Sequence, residues 1–240
     1  MARHPADDRP DRSGRPGGTA PHVVVDDVTA PVVSAADRHH LERVRRLRTG
    51  DDVSVTDGRG RWRWCRFGPE IEPDGPVMTD GRPTPTITVA FALVKGERPE
   101  LVVQKLTELG VDRIVPFLAE RSVVRWDPDK VERNRVRLQR VAHEATMQSR
   151  RTWLPEVAPC ASFAEVCALP GVAAADIGGG PPTLAHPTLM IGPEGGWSPT
   201  ERVSLPATVG LGAAVLRAET AAITAAAVLC ALRSGHVSEA

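Results

Sequence analysis

A glycine-rich loop near the C-terminus contains the residues best suited, by type and spacing, to hold a small ligand. It directly follows a short apolar run, and its sequence is Ile191-Gly192-Pro193-Glu194-Gly195-Gly196. Glycine lets a backbone approach a ligand closely, and proline stiffens the loop. The next segment, Ser198 to Glu201, has the pattern of a capping box, which predicts that a helix begins there. A loop between a strand end and a helix start is where α/β sheets bind ligands, although a tight structural turn has the same pattern.

A second loop of this kind contains Leu211, Gly212 and Leu216 and is followed by Arg217 and Glu219 at the start of another predicted helix. The two leucines would supply apolar walls for a ligand. A carboxylate accepts protons and a guanidinium stabilises anions, so Arg217 and Glu219 are candidate catalytic residues. The alternative is that Glu219 only complements the positive end of the helix dipole.

The spacing of other residues excludes several chemistries. Neither loop contains the Gly-Lys-Ser/Thr of a P-loop or the spaced glycines of a dinucleotide fingerprint. His143-Glu144 has Met147 where a zinc protease motif requires a second histidine. The scattered cysteines form no Cys-x-x-Cys pair, so we expect no metal site and reduced thiols.

The elements that must position these loops fall into two parts of the chain. Residues 1–20, rich in proline, glycine, arginine and aspartate, are predicted to be a flexible tail. Residues 21–83 have short β-branched runs and turn signals, which indicate a small β domain with one helix over residues 35–47. Residues 84–240 alternate strands with helices, which indicates a parallel sheet covered by helices, an α/β domain. Predicted strands cover residues 86–94, 113–117, 188–191 and 208–211, and predicted helices cover residues 100–109, 127–148 and 218–233.

Composition places the chain among globular proteins without a membrane span. It has 240 residues, of which 41% are hydrophobic and 25% charged. The longest apolar run, residues 221–232, is too short to cross a bilayer. The N-terminus has no apolar signal-peptide region, so a cytoplasmic location is expected.

The net charge of zero conceals two basic blocks. Residues 38–66 hold nine arginines and four acids, and residues 121–151 hold nine basic residues and four acids, so each block carries a net charge of +5. Blocks of this kind suit a polyanion such as RNA. Arg121, Arg125, Arg150 and Arg151 lie near predicted loops and are candidate RNA contacts, whereas the arginines at helical spacing after residue 130 have the pattern of a solvated helix surface. Trp62 and Trp64 are placed either to stack on bases or to fill a core.

Several ordered motifs together resemble one known family. The strings IGPEGGWSPTE and GLGAAVLRAETAA, preceded by KGERPELVVQKLTELGVDRIVPFLAERSVVRW and HEATMQSRRTWLPEV, resemble the RsmE-type 16S ribosomal RNA uracil N3-methyltransferases of the SPOUT superfamily. The segment HHLERVRRLRTGDDVSVTDGRGRW resembles the family's PUA-like RNA-binding domain. The resemblance covers about residues 22–235, and it departs where Arg150 and Arg151 replace a segment that usually has a glycine.

The resemblance implies a fold, a cofactor and partners. It implies a C-terminal SPOUT domain with a trefoil knot in its parallel sheet, a small N-terminal PUA-like β-barrel, and a homodimer. It implies that S-adenosylmethionine binds among the knot loops and that 16S ribosomal RNA, or the small ribosomal subunit, is the substrate. It adds Arg43 and Arg46 to the candidate RNA contacts. The cofactor contacts that it implies are Ile191, Gly192, Pro193, Glu194, Gly195, Gly196, Leu211, Gly212 and Leu216.

Three hypotheses about function stay open at this point. The first is methylation of ring nitrogen 3 of a uridine, with Glu219 as the base, Arg217 as its partner at the substrate and Glu194 as an alternative acid. The second is an RNA-binding protein with a degenerate C-terminal domain, against which the intact loop motifs argue. The third is a SPOUT methyltransferase that acts on another RNA.

Overall fold

The computed structural model describes residues 16, 20–95 and 98–239. The predicted flexible tail, residues 1–20, lies outside the described residues except for positions 16 and 20. By its contacts the chain divides into two compact units. The first comprises the chain up to Arg82 together with Thr146–Trp153, and the second comprises Pro83–Ala145 and Leu154–Ala240.

The first unit is built on a five-stranded sheet. Its strands are β1 (His22–Val24), β2 (Asp52–Thr56), β3 (Arg61–Arg66), β4 (Glu72–Pro73) and β5 (Met78–Thr79). β1 pairs with β2 in parallel, and β3 pairs antiparallel with β2, β4 and β5. The β2–β3 hairpin turns at Gly58 and Gly60, whose φ values of 67° and 93° favour glycine. One face of this sheet packs on a core that includes Val53, Val55 and Cys65.

The predicted single helix over residues 35–47 is shorter and irregular. Helix α1 covers Ala35–His39 and continues as a π-helical turn over His40–Val44. Arg46 then adopts a left-handed conformation with φ of 56°, which ends the helix. Leu41 is buried in the core beneath this turn, whereas Arg43 and Arg46 are exposed.

The second unit is a seven-stranded sheet in which every pairing is parallel. The strand order is β12-β10-β11-β6-β7-β8, with β9 also on β7. The strands are β6 (Thr88–Ala92), β7 (Arg113–Leu118), β8 (Glu156–Val157), β9 (Ala161–Ser162), β10 (Val172–Gly180), β11 (Thr188–Ile191) and β12 (Thr208–Val209). The helices are α2 (Arg98–Leu109), α3 (Pro128–Ser149), α4 (Phe163–Cys167), α5 (Pro199–Val203) and α6 (Ala218–Arg233), of which α3 belongs to this unit up to Ala145. The predicted parallel α/β architecture is therefore confirmed.

Two local predictions about helix ends are confirmed. Ser198 caps α5: its hydroxyl accepts from the Glu201 amide, and the Glu201 carboxylate accepts from the Ser198 amide. α6 begins at Ala218 and ends at Arg233, as its composition predicts. The sequence patterns did not predict β8, β9, α4 or β10, because three of these elements are very short and β10 ends in consecutive glycines.

Residues 146–153 are held to the first unit by hydrogen bonds. The Thr152 carbonyl accepts from the Gly60 amide at 2.9 Å and from the Thr56 hydroxyl at 3.1 Å. The Trp153 indole donates to the Asp80 carbonyl oxygen at 3.1 Å. This segment therefore completes the first unit, although in sequence it lies within the range 84–240.

Candidate active site

Three loops converge at neighbouring strands in the second unit. They are the bulge loop within β10, residues 176–179, and the loops after β11 and β12, and the three strands lie side by side in a parallel sheet. The loops and the start of α6 enclose a cavity of about 180 Å³. Its lining consists of Ala175, Asp176, Ile177, Ile191, Gly192, Pro193, Glu194, Gly196, Trp197, Leu211, Gly212, Ala214, Val215, Leu216, Ala218 and Ala221.

The structure brings the two predicted loops to this one cavity. All of the predicted cofactor contacts line it except Gly195. The Gly195 carbonyl instead accepts from Arg121 Nη1 at 3.1 Å, and a Cβ at Gly195 would lie 3.4 Å from the Arg121 Cβ. Arg121, a candidate RNA contact, thus braces the glycine-rich loop from outside the cavity.

The bulge loop within β10 is a wall of the cavity that sequence patterns did not assign. Val209 of β12 pairs with both Ala175 and Gly180 of β10, so the residues between them bulge out of the pairing. Asp176 and Ile177 of this bulge line the cavity. The glycine run after Ile177 was the available signal, because a third glycine-rich segment follows a strand of the same sheet.

Trp197 forms an apolar wall of the cavity and is fixed on several sides. Its ring stacks on Phe117 with centroids 6.3 Å apart, and its indole donates to the Ala175 carbonyl at 3.2 Å. A Cβ at Gly192 would lie 3.0 Å from the Trp197 ring. The glycine at position 192 therefore lets the tryptophan close this side of the cavity.

Acidic side chains at the cavity are paired with arginines from other elements. Asp176 forms an ion pair with Arg202 of α5. Glu194 accepts from Arg98 Nη1 at 3.1 Å, and Arg98 Nε lies 3.7 Å from Glu219 Oε1. Asp176 and Glu194 line the cavity, whereas Glu219, at the start of α6, is not among its lining residues.

The two predicted catalytic residues differ in their surroundings. The Glu219 side chain is only 13% exposed, and its Oε2 atom is buried without a hydrogen-bond partner among the described residues. Arg217 is the N-cap residue of α6 and is exposed. Within residues 16, 20–95 and 98–239, its guanidinium makes no hydrogen bond or ion pair, so it is free to hold an anionic ligand.

Glu201 is a buried acid that the fold uses structurally. One of its carboxylate oxygens accepts from the Ser198 amide at 3.0 Å and the other accepts from the Glu120 amide at 2.7 Å. Both oxygens are therefore satisfied by backbone donors, which ties the start of α5 to the end of β7.

Some arginines of the two basic blocks are held by other groups of the fold, whereas others are exposed to solvent. In the first unit, Arg63 and Arg66 are held by backbone carbonyls, and Arg66 also by Asp52 and Asp74. Arg43 and Arg46 are exposed, and Arg150 and Arg151 are partly buried. The possibility that Trp62 and Trp64 stack on bases is wrong, because these side chains are buried in the unit.

The arginines of α3 are mostly neutralised by acidic neighbours. Arg135 pairs with Glu132, Arg140 pairs with Glu144 and Arg137 pairs with Glu100 of α2. Arg125, just before this helix, is exposed. The helical part of the second block is thus an ion-paired surface.

The part of the chain that the structure describes contains neither a candidate metal cluster nor a helix suited to span a membrane. Those residues include no group of three His, Cys, Asp or Glu side chains placed to hold a metal ion. None of the described helices has the length and apolar character needed to cross a membrane. All four cysteines are free thiols.

Comparisons with known proteins match both units. The family model described as "RNA methyltransferase domain" matches residues 82–230, and the one described as "RNA methyltransferase PUA domain" matches residues 33–67. The chain is 32% identical to the ribosomal RNA small subunit methyltransferase E of Synechocystis, with 89% of this chain and 76% of the relative covered. The enzyme of the same name from Bacillus subtilis is 28% identical, with 80% and 86% covered.

Solved structures agree with this relationship. A ribosomal RNA small subunit methyltransferase E from Neisseria gonorrhoeae, bound to S-adenosylmethionine, is 27% identical with a TM-score of 0.73, covering 89% of this chain and 98% of that one. A putative methyltransferase from Legionella pneumophila, also in complex with S-adenosylmethionine, is 26% identical with a TM-score of 0.75, covering 88% and 97%. The chain therefore belongs to the RNA methyltransferase family that includes the ribosomal RNA small subunit methyltransferases E, with a PUA-like first unit and a SPOUT-type α/β second unit.

Proposed function

We propose that this protein uses S-adenosylmethionine to methylate ring nitrogen 3 of a uridine in 16S ribosomal RNA of the small subunit. One observation carries the proposal: the bulge loop of β10 and the loops after β11 and β12 form a single cavity, which is lined by nearly every residue predicted to contact the cofactor. Two relatives of the same fold bind S-adenosylmethionine. The relatives named for the small ribosomal subunit supply the class of substrate.

The residues of the cavity fit this cofactor. Trp197, Leu211, Leu216 and Val215 supply apolar surface for an adenine ring. Gly192, Gly196 and Gly212 expose backbone groups that can bond its polar edges, and a Cβ at Gly196 or Gly212 would require a strained left-handed backbone. When bound, S-adenosylmethionine supplies an electrophilic methyl group on a cationic sulfur.

The chain must provide a base, because nitrogen 3 of uracil carries a proton. Glu219 is the proposed base, and its buried Oε2 has no hydrogen-bond partner among the described residues. The proton moves from nitrogen 3 to Glu219 as the nitrogen lone pair forms a bond to the methyl carbon. The carbon–sulfur bond breaks, and its electron pair stays on sulfur. Arg217, whose guanidinium has no partner within the described part of the chain, is proposed to stabilise the uracil oxygen that gains negative charge or a neighbouring phosphate.

The proposed RNA contacts are Arg43, Arg46, Arg121, Arg125, Arg150 and Arg151. They are supported by the two +5 blocks of the sequence and by the exposure of Arg43, Arg46, Arg121 and Arg125. Contacts to phosphates release counterions, so binding is expected to weaken as salt rises. Since ribosomal RNA is the substrate, the proposed location is the cytoplasm.

The proposal includes a homodimer and a trefoil knot. Within a single chain, α6 buries a face that includes Ala222, Ala225 and Leu229. Ile223, Val228 and Ala231 on its remaining surface are only half-buried, and a second copy would cover them. The knot is inferred from the family to which the chain belongs. Light scattering of the purified protein measures the oligomeric state.

The test of the function is nucleoside mass spectrometry of 16S ribosomal RNA from cells with and without this protein. Loss of 3-methyluridine, restored by the wild-type chain, is the expected result. Unchanged 3-methyluridine together with loss of another methylated nucleoside would favour a different RNA target. Calorimetry with S-adenosylmethionine supplies a second measurement, and failure to bind would favour an RNA-binding protein without catalytic activity.

A further inference from the structure

Arg98 connects the two predicted functional loops from outside them. It lies at the start of α2, the helix after β6, and its side chain is 42% exposed. Its Nη1 lies 3.1 Å from Glu194 of the loop after β11, and its Nε lies 3.7 Å from Glu219 Oε1 at the start of α6. No sequence motif indicates this contact, because the three residues lie in three distant segments.

The contact makes the two oxygens of Glu219 unequal. Oε1 faces the Arg98 guanidinium, whereas Oε2 is buried without a hydrogen-bond partner among the described residues. A buried carboxylate oxygen without a donor is unfavourable unless something compensates the charge or a ligand completes the site. Arg98 compensates the charge through one oxygen and leaves the other oxygen available.

We propose that Arg98 is a positioning residue that orients Glu219 so that Oε2 accepts the proton of the substrate nitrogen. This inference rests on the proposed methyl transfer. The proton leaves nitrogen 3 and bonds to Glu219 Oε2, the nitrogen electron pair bonds to the methyl carbon, and the electron pair of the broken bond stays on sulfur. The proton is later released from Glu219 to water, which restores the carboxylate.

The Glu194 contact gives Arg98 a further effect. The Arg98 guanidinium contacts both Glu194 and Glu219. Because Glu194 belongs to the loop that lines the cofactor cavity, this loop fixes the Arg98 rotamer that holds Glu219. The base is therefore held in place when the glycine-rich loop adopts the conformation seen here. Bidentate and bridging contacts of this kind suit a planar guanidinium better than an ammonium group.

The test compares four full-length proteins with the wild type: Arg98→Ala, Arg98→Lys, Glu219→Gln and the double variant of Arg98→Ala with Glu219→Gln. Lys105→Ala is the matched control, since it removes a cation of the same helix, and Glu108 is the one ion-pair partner of Lys105 among the residues that the structure describes. Calorimetry gives the Kd for S-adenosylmethionine, and single-turnover transfer of a labelled methyl group to small-subunit RNA gives the rate. Thermal unfolding checks that each variant is folded.

The proposal expects Arg98→Ala to lower the transfer rate by about tenfold or more while the Kd changes much less. Arg98→Lys is expected to recover part of the rate, because it restores the charge. In the Glu219→Gln background, Arg98→Ala is expected to have no further effect, since both changes remove the same function.

Three results would overturn the proposal: additive losses in the double variant, a change in Kd alone, or full activity of Glu219→Gln. An inactive wild type that does not bind S-adenosylmethionine would instead overturn the proposed function itself. The wild-type measurement distinguishes the two failures, because an active wild type upholds the proposed function even when the proposal for Arg98 fails.

Discussion

Gly179 and Gly210 bring the backbone of the bulge loop of β10 into direct contact with the end of β12. A Cβ at Gly210 would lie 2.8 Å from the Gly179 carbonyl oxygen, and a Cβ at Gly179 would lie 2.5 Å from the Val209 carbonyl carbon. The Gly210 amide donates to the Gly180 carbonyl at 2.8 Å. Two of the three loops that form the cavity are thus fastened together through backbone atoms.

Gly179→Ala is predicted to displace these loops and weaken cofactor binding. Its Cβ would overlap backbone atoms, which cannot rotate away as a side chain can. We expect the affinity for S-adenosylmethionine to fall by about tenfold, which corresponds to about 1.4 kcal/mol. Calorimetry measures this loss.

Gly180→Ala is the matched control, since a Cβ at that position meets nothing within 4 Å. It should bind the cofactor with nearly unchanged affinity. Equal affinities for the two variants would show that the backbone contact does not shape the cavity.

Arg217→Ala is predicted to separate catalysis from cofactor binding. The Arg217 guanidinium has no partner among the described residues, so its removal leaves no buried group unpaired. We expect the Kd for S-adenosylmethionine to stay within about twofold and the rate of methyl transfer to fall by about a hundredfold, as for the loss of one anion-stabilising donor. A normal transfer rate in the variant would remove Arg217 from the proposed mechanism.

Arg150→Gly is predicted to weaken RNA binding without a loss of stability. Arg150 has a φ of 54°, a left-handed conformation that is unfavourable by roughly 1–2 kcal/mol for a residue with a Cβ. Glycine removes this strain, although its greater freedom in the unfolded chain offsets roughly 0.5–1 kcal/mol. The melting temperature should therefore stay the same or rise slightly.

The lost charge should weaken RNA binding, and the slope of log K against log salt should decrease by about one. Filter binding at several salt concentrations measures this slope. A variant that is more stable but binds RNA with an unchanged slope would show that Arg150 makes no phosphate contact.

Acidification is predicted to destabilise the first unit through His22. Burial, more than the nearby Arg150 charge, lowers the pKa of His22 from 6.5 to about 4, despite the hydrogen bond to the Arg151 carbonyl. Between pH 6.5 and pH 4 the unfolded chain binds the proton and the folded chain does not, so stability falls as the pH decreases across this window. The contribution over the whole window is about 3 kcal/mol.

Urea unfolding at pH 7 and pH 5 measures the effect, and His22→Gln is the variant for comparison. The variant should be less stable at pH 7, because His22 bridges Ser54 and the Arg151 carbonyl. It should also lose less stability between the two pH values than the wild type. Equal losses would assign the acid sensitivity to other groups.

Local sequence patterns predicted those helices and strands of the second unit that depend mainly on residues adjacent in sequence. The apolar composition of α6 and β11 and the capping box that starts α5 are set by neighbouring residues, so the bounds of α6 and β11 and the start of α5 agree closely with prediction. The loops after β11 and β12 could be assigned to one cavity because parallel strands end at one edge.

The remaining features depend on residues that are distant in sequence. The bulge at Asp176 arises from the pairing of Val209 with two positions of β10, and no local pattern encodes that register. The contacts of Arg98 with Glu194 and Glu219 likewise depend on how three loops meet. The alternation along β3 alone could not tell whether Trp62 and Trp64 face solvent or a core. In the structure both side chains are buried in the first unit.

The return of Thr146–Trp153 to the first unit has a consequence for how the protein forms during synthesis. On the ribosome, domains generally fold from the N-terminus as they emerge. Here the Thr56 hydroxyl and the Gly60 amide find their partner only when Thr152 has been made. The first unit therefore stays incomplete while β6, α2, β7 and most of α3 are translated. A fragment that ends at residue 83 is expected to lack the segment needed to close its fold.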